Sequence, residues 1–151
     1  MFTTLVSCNL NNSKQESVEV STLTASDGVY NIKNETSYIT WTGREVSTSY
    51  HYGTINFASG QFELSGGLIS TGEFIVDMST IKNDDLPTDF AKNRLETHLK
   101  SDDFFSVESY PTAKISILDS EIISDGKWLV SGELTIKSYT HPIQFEIINS
   151  M

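Results

Sequence analysis

The side chains in this sequence that could do chemistry are three histidines, one cysteine, two arginines and a few aspartates set among apolar residues. His51, His98 and His141 have no HExxH-type spacing, and Cys8 is the single thiol, so a zinc site would need distant carboxylates. His98 falls at the end of a helical stripe, where positive charge is favoured, and its expected role is capping or packing. Asp77, in Val76-Asp77-Met78, sits on the strand face opposite Phe74 and Val76. Neither a G-x-S-x-G elbow nor a paired carboxylate accompanies it, so it reads as a hydrogen-bonding acid on an outer face. Nucleophilic catalysis finds no constellation, because Cys8 stands in a polar tail. Gly66-Gly67 separates two strands and is not a phosphate-cradling loop. The expectation is a protein without catalysis, metal or cofactor. What remains is a large set of apolar side chains at regular spacing, and their chemistry is binding.

From Asp27 onward those apolar residues follow a period of two, which marks half-buried strands. Ile39 and Trp41 share a face, as do Ile55 and Phe57, and then Phe74, Val76 and Met78. The second half repeats the pattern with Ala113, Ile115 and Ile117, then Trp128, Val130, Leu134 and Ile136, then Ile143, Phe145 and Ile147. Turns are expected at Ser59-Gly60, Gly66-Gly67, Ser124-Asp125-Gly126 and Tyr139-Thr140. One segment breaks the rhythm. Phe90, Ala91, Leu95 and Leu99 form a stripe at helical spacing, with Pro87 and Asp89 as start signals, which predicts a helix near Thr88–Leu99. Asp102 and Asp103 belong in the turn after it, since two acids oppose a helix C-terminus. Regular short strands around one helix argue for a mainly β fold, an antiparallel barrel or sandwich, and the expected form is a single antiparallel barrel of about eight strands.

A chain of 151 residues, 38% hydrophobic, is long enough for one domain with a real core. Its net charge of -10 makes nucleic acid and anionic membrane poor partners. Residues 1–26 are polar and read as a tail, and residues 27–149 as the folded domain.

Several motifs together closely resemble the YceI-like family, lipocalin-like polyisoprenoid-binding proteins of bacteria. They are Trp41-Thr42-Gly43, His51-Tyr52-Gly53-Thr54-Ile55-Asn56-Phe57, Gly66-Gly67, and Gly72-Glu73-Phe74-Ile75-Val76-Asp77-Met78-Ser79-Thr80-Ile81. Downstream come Leu95 to Phe105, Tyr110-Pro111-Thr112-Ala113-Lys114-Ile115 and Val130-Ser131-Gly132-Glu133-Leu134-Thr135-Ile136-Lys137. The resemblance covers roughly Asp27 to Ile148. Ile115 stands where the family commonly has phenylalanine, and Ser138 where it usually has glycine. His51 matches the family's His-x-Gly at a strand start and is expected to fix a turn. Leu5-Val6-Ser7-Cys8 resembles a lipobox, which would make Cys8 a lipidation site and residues 9–26 a tether; the alternative is a free cysteine in a disordered tail.

The resemblance implies a hollow barrel that holds and carries a long apolar lipid, a polyprenol or prenyl quinone, in the periplasm or cell envelope. Membrane contact is expected only through an N-terminal lipid anchor, and the oligomeric state is left open, a homodimer included. Strand alternation gives the expected lining as Ile39, Trp41, Ile55, Phe57, Phe74, Val76, Ile115, Ile117, Val130, Leu134 and Phe145. Phe90, Leu95 and Leu99 would form a lid. Phe104 and Phe105 would either close one end or anchor the helix. The competing reading is a barrel packed by its own side chains that serves as a stress-response or protein-interaction scaffold. A third is a small barrel enzyme acting on a lipid.

Overall fold

The computed structural model describes residues 26–44, 50–124 and 126–148. Eight strands form one antiparallel sheet: β1 (Gly28–Asn31), β2 (Tyr38–Arg44), β3 (Tyr50–Ser65), β4 (Leu68–Asp77), β5 (Lys82–Asn83), β6 (Thr112–Ser124), β7 (Lys127–Ile136) and β8 (Tyr139–Ile148). One helix, α1 (Asp89–Lys100), interrupts the series between β5 and β6. The strand order is β1-β3-β4-β6-β7-β8, with β2 and β5 also paired to β3. No helix among the described residues is long and apolar enough to cross a membrane.

The hairpin joining β3 to β4 turns on Gly66 and Gly67, whose φ values of 58° and 80° are those of a two-residue turn that suits the twist of its strands. Ser59-Gly60, expected to be a turn, instead lies inside the sixteen-residue strand β3. A register shift between Phe57 and Ser59 marks a bulge there. Gly60 answers a packing demand, because a Cβ on it would collide with the Phe74 ring. The β7–β8 connection is likewise tighter than expected. Ile136 already pairs with Tyr139, so Lys137 and Ser138 make the turn, with Lys137 at φ 54°. Further shifts in the β3–β4 and β6–β7 ladders bend the strands and curl the sheet.

The curl stops short of closure. Among the described residues β8 hydrogen-bonds only to β7, and β1 and β2 only to β3. The reason lies in both edges. β1 and β2 run along one side of β3 as two short pieces separated by the turn around Lys33–Ser37, so they offer no continuous partner. β8 carries Pro142, which lacks the N–H an interior strand needs.

The concave face holds two packed clusters. One joins Ile55, Val76, Met78, Ile81, Leu99, Val107 and Ala113 at the helix end. The other joins Leu64, Ile69, Ile117, Trp128 and Val130, with Val130 fully buried. α1 starts at an N-cap Thr88, whose hydroxyl accepts the Ala91 N–H, and ends with His98 and Lys100 favourably placed in its last turn. The sequence signals therefore locate the helix to within one residue at each end. Val107, carried on the loop after α1, completes the first cluster, and Phe105 packs beside it.

Candidate functional site: the concave face and its rim

Every strand residue expected to line the interior lies on the concave face. Ile55, Val76, Ile117 and Val130 are buried within the two clusters. Ile39, Trp41 and Phe57 pack against the first cluster, and Phe74 and Phe145 against the second. The indole N–H of Trp41 donates to the Lys82 carbonyl at 3.0 Å, and that of Trp128 to the Gly67 carbonyl at 3.0 Å. Both tryptophans thus satisfy their one polar group against backbone and turn their apolar bodies inward.

Between the clusters runs a half-buried belt in which Ile115 and Leu134 belong to neither and Phe74 borders the second. Ile115 pairs directly with Phe74 on β4 and with Leu134 on β7. Along β6, Ile115 falls between buried Ala113 and buried Ile117, yet it stays half-buried, as do Phe74 and Leu134. Phe57 faces Phe74 across the belt with ring centroids 5.9 Å apart. Inward-facing apolar side chains at the middle of a filled barrel would be fully covered. These keep accessible surface.

The expected lid divides. Leu99 is buried and Leu95 packs on the first cluster, but Phe90 is 80% exposed. At about 100° per residue, Phe90 lies roughly 140–180° around the helix from Leu95 and Leu99, so it cannot face the core with them. Phe104 departs from expectation in the same way. It is 47% exposed, set edge-on to Phe105 and 6.3 Å from the His98 ring, and it lines nothing on the concave face. Phe105 is the anchor. Cys8 and most of the polar tail lie outside the described residues.

Phe90 instead forms part of a groove of about 530 Å³ at the rim, where α1 faces the start of β3. Its apolar walls are Leu86, Phe90, Ala91 and Leu95, and its polar ones His51, Arg94 and His98. Phe90, Arg94 and His98 follow one another at i, i+4 and i+8, a ridge beside the core-facing ridge of Ala91, Leu95 and Leu99. That spacing is legible in the sequence, but the hydrophobic pattern points to the core ridge alone.

A buried polar clasp holds the groove's two sides together. Asn83, only 2% exposed, donates its amide to the Tyr52 carbonyl, accepts from Leu86 N–H, and offers its own N–H to Glu96 of α1 at 2.8 Å. Asp85 accepts from the Tyr52 N–H at 2.9 Å, from Asn83, and from His51 Nδ1 at 2.8 Å. Burial acts to raise the Asp85 pKa, but the bonds from Tyr52, His51 and Asn83 outweigh it and lower the carboxyl from 3.8 to about 2. His51 therefore sits on the inner face of β3, tied to the β5–α1 loop rather than fixing a turn. Asp77 has the modest role expected of it, accepting from Ser79 N–H and hydroxyl to cap a short 3₁₀ turn. No group of metal-binding side chains occurs among the described residues.

A family model described as a YceI-like domain matches residues 30–150. The chain belongs to the YceI-like family. It is 30% identical over 113 residues to a UPF0312 protein of Photorhabdus laumondii, covering 74% of this chain and 55% of that protein. It is 25% identical over 119 residues to a UPF0312 protein of Shewanella denitrificans, covering 79% of this chain and 60% of that one. The chain thus spans a little over half the length of these curated relatives. Among solved structures it is similar to BcnA of Burkholderia cenocepacia, with a TM-score of 0.55 at 14% identity over 74% of this chain and 66% of the other. The architecture is that of a lipocalin-like antiparallel barrel, mainly β with one helix, its sheet left unclosed.

Proposed function

We propose that this YceI-like protein binds and carries a long apolar lipid of isoprenoid type along its concave face, without chemical turnover, in the cell envelope. The observation that carries this reading is the half-buried belt of Phe74, Ile115 and Leu134 between two packed clusters. Each apolar carbon group buried there would contribute about 0.8 kcal/mol, so a few isoprene units supply micromolar affinity without a charged contact. Head-group chemistry follows from the cations. Arg44 stacks over the Tyr50 ring at 5.5 Å, and Arg94 lies on the rim. Both arginines are exposed, and Lys114 and Lys127 pair with Glu73 and Glu146. A neutral head, a quinone or free prenol, suits such a lining better than a pyrophosphate.

Trp41 and Trp128 both flank the belt, and quinones quench indole fluorescence on contact. Titration with a water-dispersible prenyl quinone should quench saturably, and more strongly than the same quinone without its prenyl chain. Equal, linear quenching by both compounds would remove the reading. Membrane attachment through Cys8 is part of the proposal, supported by the lipobox-like Leu5-Val6-Ser7-Cys8. Expressed from its full reading frame in the native host, the protein should carry acyl mass on Cys8 and lose membrane fractionation in Cys8→Ala.

A further inference from the structure

The rim groove has a composition the interior lacks. Among the described residues it brings together an arginine and two histidines with no acidic residue in its lining, in a chain with 20 acids and 10 Lys and Arg residues. Asp85, a carboxylate that bonds His51, already accepts three hydrogen bonds and is committed to the clasp. No carboxylate lies within ion-pair distance of Arg94 among the described residues, although Lys114 and Lys127 on the sheet have each found one. Alongside these polar groups lie Leu86, Ala91, Leu95 and the 80% exposed ring of Phe90, which nothing in the described structure covers. An exposed phenylalanine beside a guanidinium with no ion pair among the described residues, over a groove within the usual size of about 300–1,000 Å³ for ligand sites, is a feature that wants an occupant.

We infer that this groove is a second binding site, for a single-chain carboxylic acid whose carboxylate meets Arg94 and His98 and whose alkyl chain lies along Leu86, Phe90, Ala91 and Leu95. Charge decides between head groups. One guanidinium offers a flat fork that matches the two oxygens of a carboxylate, whereas a phosphate dianion would face a strongly acidic protein with a single permanent cation. The walls decide the rest. Four apolar residues on one side of the fork suit an alkyl chain and give nothing to a free acetate or a sugar acid. The groove opens outside the concave face, with Arg94 and Phe90 turned away from the core and Leu95 bordering both.

The test is a titration of the ¹⁵N-labelled protein with octanoate and, separately, 1-octanol, followed by amide chemical shifts. Octanoate should move the resonances of residues 86–98 and of His51, and should bind about tenfold more tightly than octanol through its charge-assisted bonds. Arg94→Gln should bring octanoate down to the affinity of octanol, while Arg44→Gln, outside the groove, should leave it unchanged. Phe90→Ser should weaken both ligands. Both groove variants alter exposed side chains, and unchanged amide spectra away from α1 will show that they fold. Equal affinity for acid and alcohol overturns the inference, as does an undiminished octanoate affinity in Arg94→Gln. Shifts confined to the belt around Ile115 also overturn it, while leaving the interior reading intact. A prenyl quinone titration that fails while octanoate succeeds would remove the interior reading and spare this one.

Discussion

Replacing Asp85 with asparagine tests how the rim is held, because the structure gives both the size and the pH range of the effect. The carboxyl falls from 3.8 to about 2 on folding, and its side chain is 16% exposed. A depressed pKa contributes stability that is complete above the unfolded value and vanishes as pH falls through the folded one. At neutral pH the shift corresponds to about 2 kcal/mol as an upper bound, since water at the rim screens part of it. By the same linkage about 1 kcal/mol should remain at pH 3 and less than about 0.5 kcal/mol at pH 2. The Asp85→Asn amide can still accept from one donor but turns an N–H toward His51 or Asn83, so the variant loses the charge-assisted part. Thermal and urea denaturation of both proteins, followed by tryptophan fluorescence between pH 7 and pH 2, isolates this group, since the other carboxylates cancel in the difference. The variant should melt roughly 5–10 °C lower at pH 7, and the two stability curves should converge toward pH 2. A difference that stays constant over that range, or one below about 0.5 kcal/mol at pH 7, would refute the hydrogen-bond account of the clasp.

Three further outcomes are expected. Leu99→Ala should destabilise the fold by about 2–5 kcal/mol in denaturant titration, whereas Phe90→Ser on the same helix should leave stability within about 0.5 kcal/mol. Gly53→Ala should cost about 1–3 kcal/mol or more, because its Cβ would collide with the Lys82 carbonyl and the Trp41 ring; unchanged stability would mean that β5 moves aside freely. Val76→Glu should place an unpaired acid in the first cluster at a cost of several kcal/mol, read as loss of the folded signal or of prenyl quinone quenching.

Much of this architecture is legible in the sequence because a period of two has only one half-buried solution. Each strand residue chosen by alternation, from Ile39 to Phe145, lies on the concave face. Alternation is silent about long-range closeness, and the misassignments follow from that. Ser59-Gly60 has turn composition, but Gly60 is there because the ring of Phe74, its partner on β4, crosses directly over it. The apolar stripe groups Phe90 with Leu95 and Leu99, although helical geometry puts it on the neighbouring ridge, turned away from the core. The clasp of Tyr52, Asn83, Asp85 and Glu96 joins three elements through polar side chains that have no periodic signal. The core residues Ile81 and Val107 sit on connecting segments, where no repeating pattern could announce them, whereas Met78, on a 3₁₀ turn, continues the alternation of β4. The open edge between β8 and the β1–β2 side depends on the lengths of strands that only the fold defines.

Whether the concave face carries a lipid is settled most directly by native mass spectrometry of the protein purified from a bacterial host, with defined prenyl quinones then added back. A population heavier than the chain by one lipid is expected, removed by organic extraction and restored by a prenyl quinone, with Val76→Glu or its loss of fold abolishing it. Protein that emerges at its bare mass and takes up no prenyl quinone while remaining folded would contradict the account and leave the barrel as a scaffold.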